Sequence, residues 1–174
     1  MRRLLRLHPD SRGFAPARIE VGIARPLANS LILSYIVIGK ISEVCMPPVI
    51  RSARSDELWR HTCFEAFVRA SSEAGYYEFN FAPSTQWAVY RFDGYRSGMR
   101  LAAEIGAPRI EVQSDSERYT LRATVEPGDA PWRLGLAAVI EERSGDKSYW
   151  ALAHPPGKPD FHHSDGFALE IPAA

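Results

Sequence analysis

From Arg118 to Val125 the chain reads RYTLRATV, with Tyr119, Leu121, Ala123 and Val125 on one parity and Thr120, Arg122 and Thr124 on the other. A period of two is the signature of a strand with one buried face, because successive side chains point to opposite sides of a sheet. The same kind of short apolar run recurs along the chain, punctuated by Gly, Pro, Asp and Ser. Expected strands are Leu4–Leu7, Arg18–Ile23, Leu31–Gly39, Cys63–Ala70, Tyr76–Phe81, Gln86–Phe92, Arg109–Gln113, Arg118–Val125, Arg133–Glu142, Ser148–Ala153 and Phe167–Ile171. The Ser144–Gly145–Asp146 stretch reads as a hairpin turn between two of them. Only Ser97–Gly106 tolerates a helical reading. About eleven antiparallel strands with little helix predict an all-β jelly-roll β-sandwich. With no internal repeat and no linker, residues 1–174 are expected to form a single domain.

The totals narrow the function classes. Twenty-one basic and 21 acidic side chains give a formal net charge of zero, so nothing steers nucleic acid or an anionic membrane toward the chain. The opening MRRLLRLHPD is basic, but no apolar segment follows it, so no secretion leader is expected. The longest apolar run, SLILSYIVIG, is strand-length and far short of the roughly 20 residues of a membrane helix. Cys45 and Cys63 have no metal-finger spacing and are expected as reduced thiols. A cytoplasmic location is the default expectation.

Polar residues inside the expected strands carry the functional signal. In Cys63–Ala70, Phe64, Ala66, Val68 and Ala70 make a plain core face, which leaves Glu65 on the other face between Cys63 and Phe67. In Tyr76–Phe81, Tyr77, Phe79 and Phe81 face the core, while Tyr76, Glu78 and Asn80 share the opposite side. If the two strands are neighbours, Glu65, Glu78 and Asn80 line one sheet surface. Two carboxylates there repel unless a cation or the hydroxyls of a ligand intervene. Trp59 and Trp87 precede or open these strands, and an indole offers a flat apolar face for the C–H side of a sugar ring. The competing reading is a solvated sheet face whose acids pair with Arg91, Arg100 or Arg122, over tryptophans that belong to the core.

DELWRHTCFEAFV followed by YYEFNFAPSTQWAVY, with the closing SYWALAHPPGKPDFHHSDGFALEI, resembles the DOMON-like superfamily, close to the family 9 carbohydrate-binding modules and nearest to an uncharacterised bacterial DOMON-like group. The resemblance spans most of the chain. It implies a jelly roll with a ligand site on the concave sheet or its flanking loops. In the sugar-binding modules a tryptophan stacks on the sugar and an acid six residues later hydrogen-bonds it, a spacing that Trp59 and Glu65 match. The next strand there presents an arginine and, two residues on, an asparagine. Asn80 matches, whereas Glu78 stands in the arginine's place and exchanges a donor for an acceptor. A second stacking tryptophan lies near the C-terminus of those modules, where Trp150 is the candidate. Related modules also carry structural calcium, whose ligands map to no particular acids of this chain.

The expected function is therefore non-catalytic binding of a small polyhydroxylated ligand, a saccharide above all, with Trp59, Glu65, Glu78, Asn80, Trp150 and His162 as site residues. Lys158 or His162 of the Pro-rich loop would reach the ligand from one side. Two other classes remain. His154, His162 and His163 with Asp160 or Asp165 offer zinc donors, and DOMON-type haem modules would need Met99 paired with His61, His154 or His162. A small hydrolase would need a His61–Cys63 pair or a Glu65–Glu78 acid pair. No phosphate-binding glycine loop, HExxH or CxxC motif is present.

Overall fold

The structure, a computed structural model, describes residues 1–173. The apolar runs become thirteen strands among the described residues. They are β1 Arg2–Leu4, β2 Arg6–Leu7, β3 Pro16–Leu27, β4 Ser30–Gly39, β5 Cys63–Ala70, β6 Tyr76–Phe81 and β7 Trp87–Phe92. The remainder are β8 Arg100–Leu101, β9 Arg109–Ser114, β10 Arg118–Val125, β11 Trp132–Glu141, β12 Lys147–Ala151 and β13 Leu169–Ile171. Five strands form one antiparallel sheet in the order β1-β3-β4-β10-β9. The other runs β2-β12-β11-β5-β6-β7-β8, with β13 also paired to β11. The chain is an all-β sandwich. β10 returns beside β4 and β11 beside β5, so the two strands that carry the chain across the middle of the sandwich are both flanked by late arrivals.

Alternation places the core where the sequence requires it. Tyr119, Leu121, Ala123 and Val125 of β10 lie opposite Val37, Tyr35, Leu33 and Leu31 of β4, and all eight are buried between the sheets. From the other sheet, Phe64, Ala66 and Val68, Phe79 and Phe81, and Leu134, Leu136 and Ala138 close on them. Each large side chain taken fully out of water contributes about 1.5–3 kcal/mol. At one end of the sandwich Arg25 fastens three segments. Its Nη1 donates to the carbonyls of Ala130 (2.8 Å) and Pro172 (2.7 Å), its Nη2 donates to the Ala28 carbonyl and to Asp129, and its guanidinium lies 3.8 Å over the Trp132 ring.

Two expectations are corrected. Leu4–Leu7 is two strands, because the chain changes sheets at Leu5: β1 pairs with β3, whereas β2 pairs with β12. Ser97–Gly106 contains no helix. Gly98 turns the chain at φ +66°, and Arg100–Leu101 then adds an edge strand to β7 through Arg91 and Tyr90. The hairpin at Ser144–Asp146 forms as expected, with Gly145 at φ +89° and Glu142 N–H donating to the Asp146 carbonyl at 2.9 Å. Among the described residues no helix is long and apolar enough to cross a membrane.

Candidate functional site

The larger sheet is buried on both faces. Its inner face closes the main core, and its outer face carries a second apolar cluster of Phe67, Tyr76, Ala88, Tyr90, Phe92, Ala137, Ala151 and Phe167. The pairing register explains what lies among them. Glu65 stands opposite Asn80 on one side and Ala137 on the other, so one row of the sheet reads Ala151–Ala137–Glu65–Asn80–Ala88. The next row reads Gly135–Phe67–Glu78–Tyr90. Small residues flank the polar pair in the first row and leave room above it. In the second row an added Cβ on Gly135 would lie 3.1 Å from the Gly166 carbonyl and 3.3 Å from Phe67 Cβ, so glycine there lets the Ser164–Gly166 turn sit down on the sheet.

Two segments cover this surface. The single-turn 3-10 helix Leu58–Arg60 packs Trp59 against Tyr90, with ring centroids 5.9 Å apart. The Pro159–Phe167 segment packs His162 against Phe67 and Phe92, each at 5.1 Å, and Phe167 against Tyr76 at 5.4 Å. Between these covers and the sheet lies a cavity of about 440 Å³. Trp59, Phe92, Tyr149 and Phe161 provide aromatic walls, and Glu65, Glu78 and His162 provide the polar groups. Pockets of this size hold small ligands. Two non-glycine residues beside it adopt left-handed backbone: Glu57, which starts the turn carrying Trp59, at φ 59°, and Arg96 at φ 50°. Such strain persists only where surrounding structure enforces it.

The two acids are almost wholly buried, Glu65 at 3% exposure and Glu78 at 4%, above an Asn80 at 0%. Their partners differ. Asn80 Nδ2 donates to Glu78 Oε1 at 2.7 Å, and His162 Nε2 lies 3.6 Å from Glu78 Oε2. Behind them, Cys63 Sγ donates to Asn80 Oδ1 at 3.4 Å, Arg96 N–H donates to the Tyr76 hydroxyl at 3.4 Å, and that hydroxyl meets His162 Nδ1 at 2.8 Å. One set of roles satisfies this whole chain: Tyr76 donates to Nδ1, and His162 presents its Nε2–H to an ionised Glu78. Glu65 Oε1, by contrast, is buried with no hydrogen-bond partner. Burial, reinforced by the Glu78 charge, pushes the Glu65 carboxyl well up from its ordinary value, while the Arg96 guanidinium draws it down. Burial raises Glu78 as well, against the Asn80 hydrogen bond and Arg96. Of the two, Glu65 is raised the further. Burial and the nearby Arg96 hold His162 down to about 4, hence neutral. Arg96 is itself spent on Asp160, Nη2 to Oδ1 2.8 Å, which also accepts from Tyr95 OH at 2.5 Å.

Trp59, Glu65, Glu78 and His162 thus meet in one cavity, with Asn80 beneath Glu78. Trp150 does not join them. It is on the inner face of β12, 5% exposed in the main core, with Nε1 donating to Ser148 Oγ at 2.9 Å. Strand alternation puts its neighbour Tyr149 on the cavity side instead. Trp87 likewise packs on the inter-sheet core. Tyr149, Phe161, Phe92 and Arg96, with Val139 and Pro159, are the lining residues that the sequence reading missed. For Tyr149 the signal was present in the parity of SYWA. For Arg96 there was none, since its place depends on how a turn folds over a strand face.

The rival chemistries meet geometric obstacles. Cys63 is fully buried, and burial pushes its thiol well up, away from a reactive thiolate. His61 turns away from it, its side chain 72% exposed and its Nδ1 2.7 Å from Glu141 Oε2. Both cysteines are free. The histidines of the loop diverge: His154 Nε2 meets the Arg6 carbonyl at 2.8 Å, His162 points at Glu78, and His163 Nδ1 accepts from Asp165 N–H at 3.3 Å. Among the described residues no three His, Cys, Asp or Glu side chains converge to hold a metal ion, so the loop histidines and aspartates do not assemble into a zinc donor set. Met99 borders the cavity, 49% exposed at its mouth. The haem pairing also fits poorly, because both ring nitrogens of His162 already face partners and the floor is acidic. A larger cavity of about 690 Å³ lies on the other side of the Leu58–Arg60 turn, lined by Cys45, Leu58, His61 and Glu141. Its histidine is already paired with Glu141, and Ser84 Oγ with Gln86 at 3.1 Å.

No protein-family model matches this sequence. No curated protein matches it either. Among solved structures, the chain is similar to one from Bacteroides uniformis described as a "putative carbohydrate-binding protein". The TM-score is 0.63 at 13% identity, over 95% of this chain and 83% of that one. At that identity the likeness speaks to the fold.

Proposed function

We propose that residues 1–174 act as a non-catalytic binding module of the DOMON-like, carbohydrate-binding-module-like kind, and that its ligand is a saccharide or a related small polyol held in the cavity over Glu65 and Glu78. The observation that carries this reading is the pairing of a buried carboxyl that has an unpartnered oxygen with aromatic walls around it. An orphan acceptor at the floor of a cavity costs about 1–3 kcal/mol unless something donates to it, and sugar hydroxyls donate. The aromatic faces take the C–H side of the ring. In this assignment Trp59 stacks on the ring, Glu65 and Glu78 bind its hydroxyls, and Asn80 fixes Glu78. His162 closes the far side, with Tyr149 and Phe161 in the place expected for Trp150. The fold shared with the Bacteroides uniformis protein is consistent with such a role.

Titration with mono- and disaccharides, followed by tryptophan emission, tests the reading. A saturable change is expected, weakened at least about tenfold, or ~1.4 kcal/mol, in Trp59→Ala. Trp150→Phe is expected to leave the affinity unchanged. A flat response to every saccharide, or equal affinity in Trp59→Ala, refutes it.

A further inference from the structure

The charges of the cavity do not balance. Arg96 is matched by Asp160 at 2.8 Å, and His162 sits where its neutral form satisfies both Tyr76 and Glu78. That leaves two carboxyl groups, Glu65 and Glu78, and, among the described residues that line the cavity, no cation without an acid partner. The two sit diagonally on neighbouring strands, Glu65 opposite Asn80 and Glu78 opposite Phe67, so they share one surface. Glu65 Oε1 is buried and unpartnered. Around them stand Trp59, Phe92, Tyr149 and Phe161, whose ring faces attract cations.

A neutral polyol satisfies the hydrogen bonds but leaves the buried charge of Glu78 with no cation beyond Arg96, which Asp160 already pairs. An ammonium group does both, since it brings three N–H donors and one positive charge. On this basis, and resting on the saccharide reading above, we propose that the ligand is an amino sugar with a free, protonated amine, whose ammonium lies between Glu65 and Glu78 while its ring lies against Trp59.

The binding step has a definite proton balance. Of the two acids Glu65 is the more strongly raised, by burial and the Glu78 charge. Glu78 has the Asn80 donor that favours its ionised form, so the proton of the pair is assigned to Glu65 before the ligand enters. Entry of the ammonium favours the ionised form of Glu65, whose proton leaves to solvent. The groups facing Glu65 in this exchange are Glu78 and Asn80 on β6, Cys63 on its own strand, Tyr35 OH, which donates to the Glu65 carbonyl at 2.7 Å, and Arg96 from the β7–β8 turn. A neutral sugar displaces no proton.

Calorimetric titration with glucosamine, glucose and N-acetylglucosamine, run in two buffers of different ionisation enthalpy at about pH 6.5, where a sugar amine is still protonated, reads both affinity and proton release. Glucosamine is expected to bind at least about tenfold tighter than the other two, with net proton release seen for it alone. Glu78→Gln, its fold checked by circular dichroism, is expected to remove the preference for the amine. Glu65→Gln is expected to abolish the proton release. Equal or tighter binding of glucose or N-acetylglucosamine overturns the amine assignment while the saccharide reading stands. Glucosamine binding without proton release overturns the placement between the two acids. No response to any of the three overturns both.

Discussion

Glu65 and Glu78 are near neighbours of the same chemical type, yet the fold treats them differently. Glu78 is met by Asn80 and His162, and Glu65 by nothing at Oε1. Because the Glu65 carboxyl is raised in the folded chain, the native state holds its proton where the unfolded chain has lost it. Its contribution is fully present below the unfolded value near 4.3 and is lost as pH rises toward the folded value, at a slope of at most about 1.4 kcal/mol per pH unit. Glu65→Gln is therefore expected to match the parent protein at acid pH and to become the more stable of the two as pH rises through neutrality. Thermal unfolding across that range checks the sign. His162 runs the other way. Held down to about 4, it stays neutral in the native state while the unfolded chain protonates, so its contribution is lost as pH falls from about 6.5 toward 4. Its ring proton resonances are expected to titrate near 4, which proton NMR of the five histidines compared with a His162→Gln variant would show.

Strands announce themselves through a two-residue period, and that is why β5, β6 and β10 were legible with their facing residues. Phe64 and Phe79 went to the core, and Glu65, Glu78 and Asn80 to the other side. What alternation cannot convey is which sheet a segment joins or what folds over it. Leu5 changes sheets inside one apolar run, and β8 is two residues that exist as a strand only because β7 offers an open edge. The misplacement of Trp150 has another origin. The resembled modules have a stacking tryptophan near this position, whereas the parity of β12 puts Trp150 in the core and Tyr149 on the cavity side. Element boundaries bring a prediction at Gly39, where β4 ends at φ +148° and an added Cβ would fall 2.3 Å from the Ala15 carbonyl. That neighbour is backbone and cannot rotate away. Gly39→Ala is expected to cost about 2–4 kcal/mol through strain at a special conformation, measured by urea unfolding.

At the scale of the molecule, one side chain joins the turn after β3, the loop before β11 and the tail after β13. Arg25 is nearly buried, so removing its donors leaves the carbonyls of Ala28, Ala130 and Pro172 without a partner and exposes the Trp132 face. Arg25→Met is expected to lower stability by about 3 kcal/mol, again read by urea unfolding, with little effect on a cavity at the outer face. The zero net charge has a colloidal consequence: molecules do not repel one another near pH 7.0, so light scattering is expected to show the weakest repulsion there. The crossing at Leu5 bears on how the molecule yields to force. Residues Arg2–Leu7 supply an outermost strand to each sheet, tied to β3 and then to β12. Tension applied at the first residue would meet those bonds one after another, as a zip fastener opens, and would strip an edge from both layers before any long central strand bears load. The sandwich has a mechanically soft corner, and the pull that finds it loosens the two sheets in sequence.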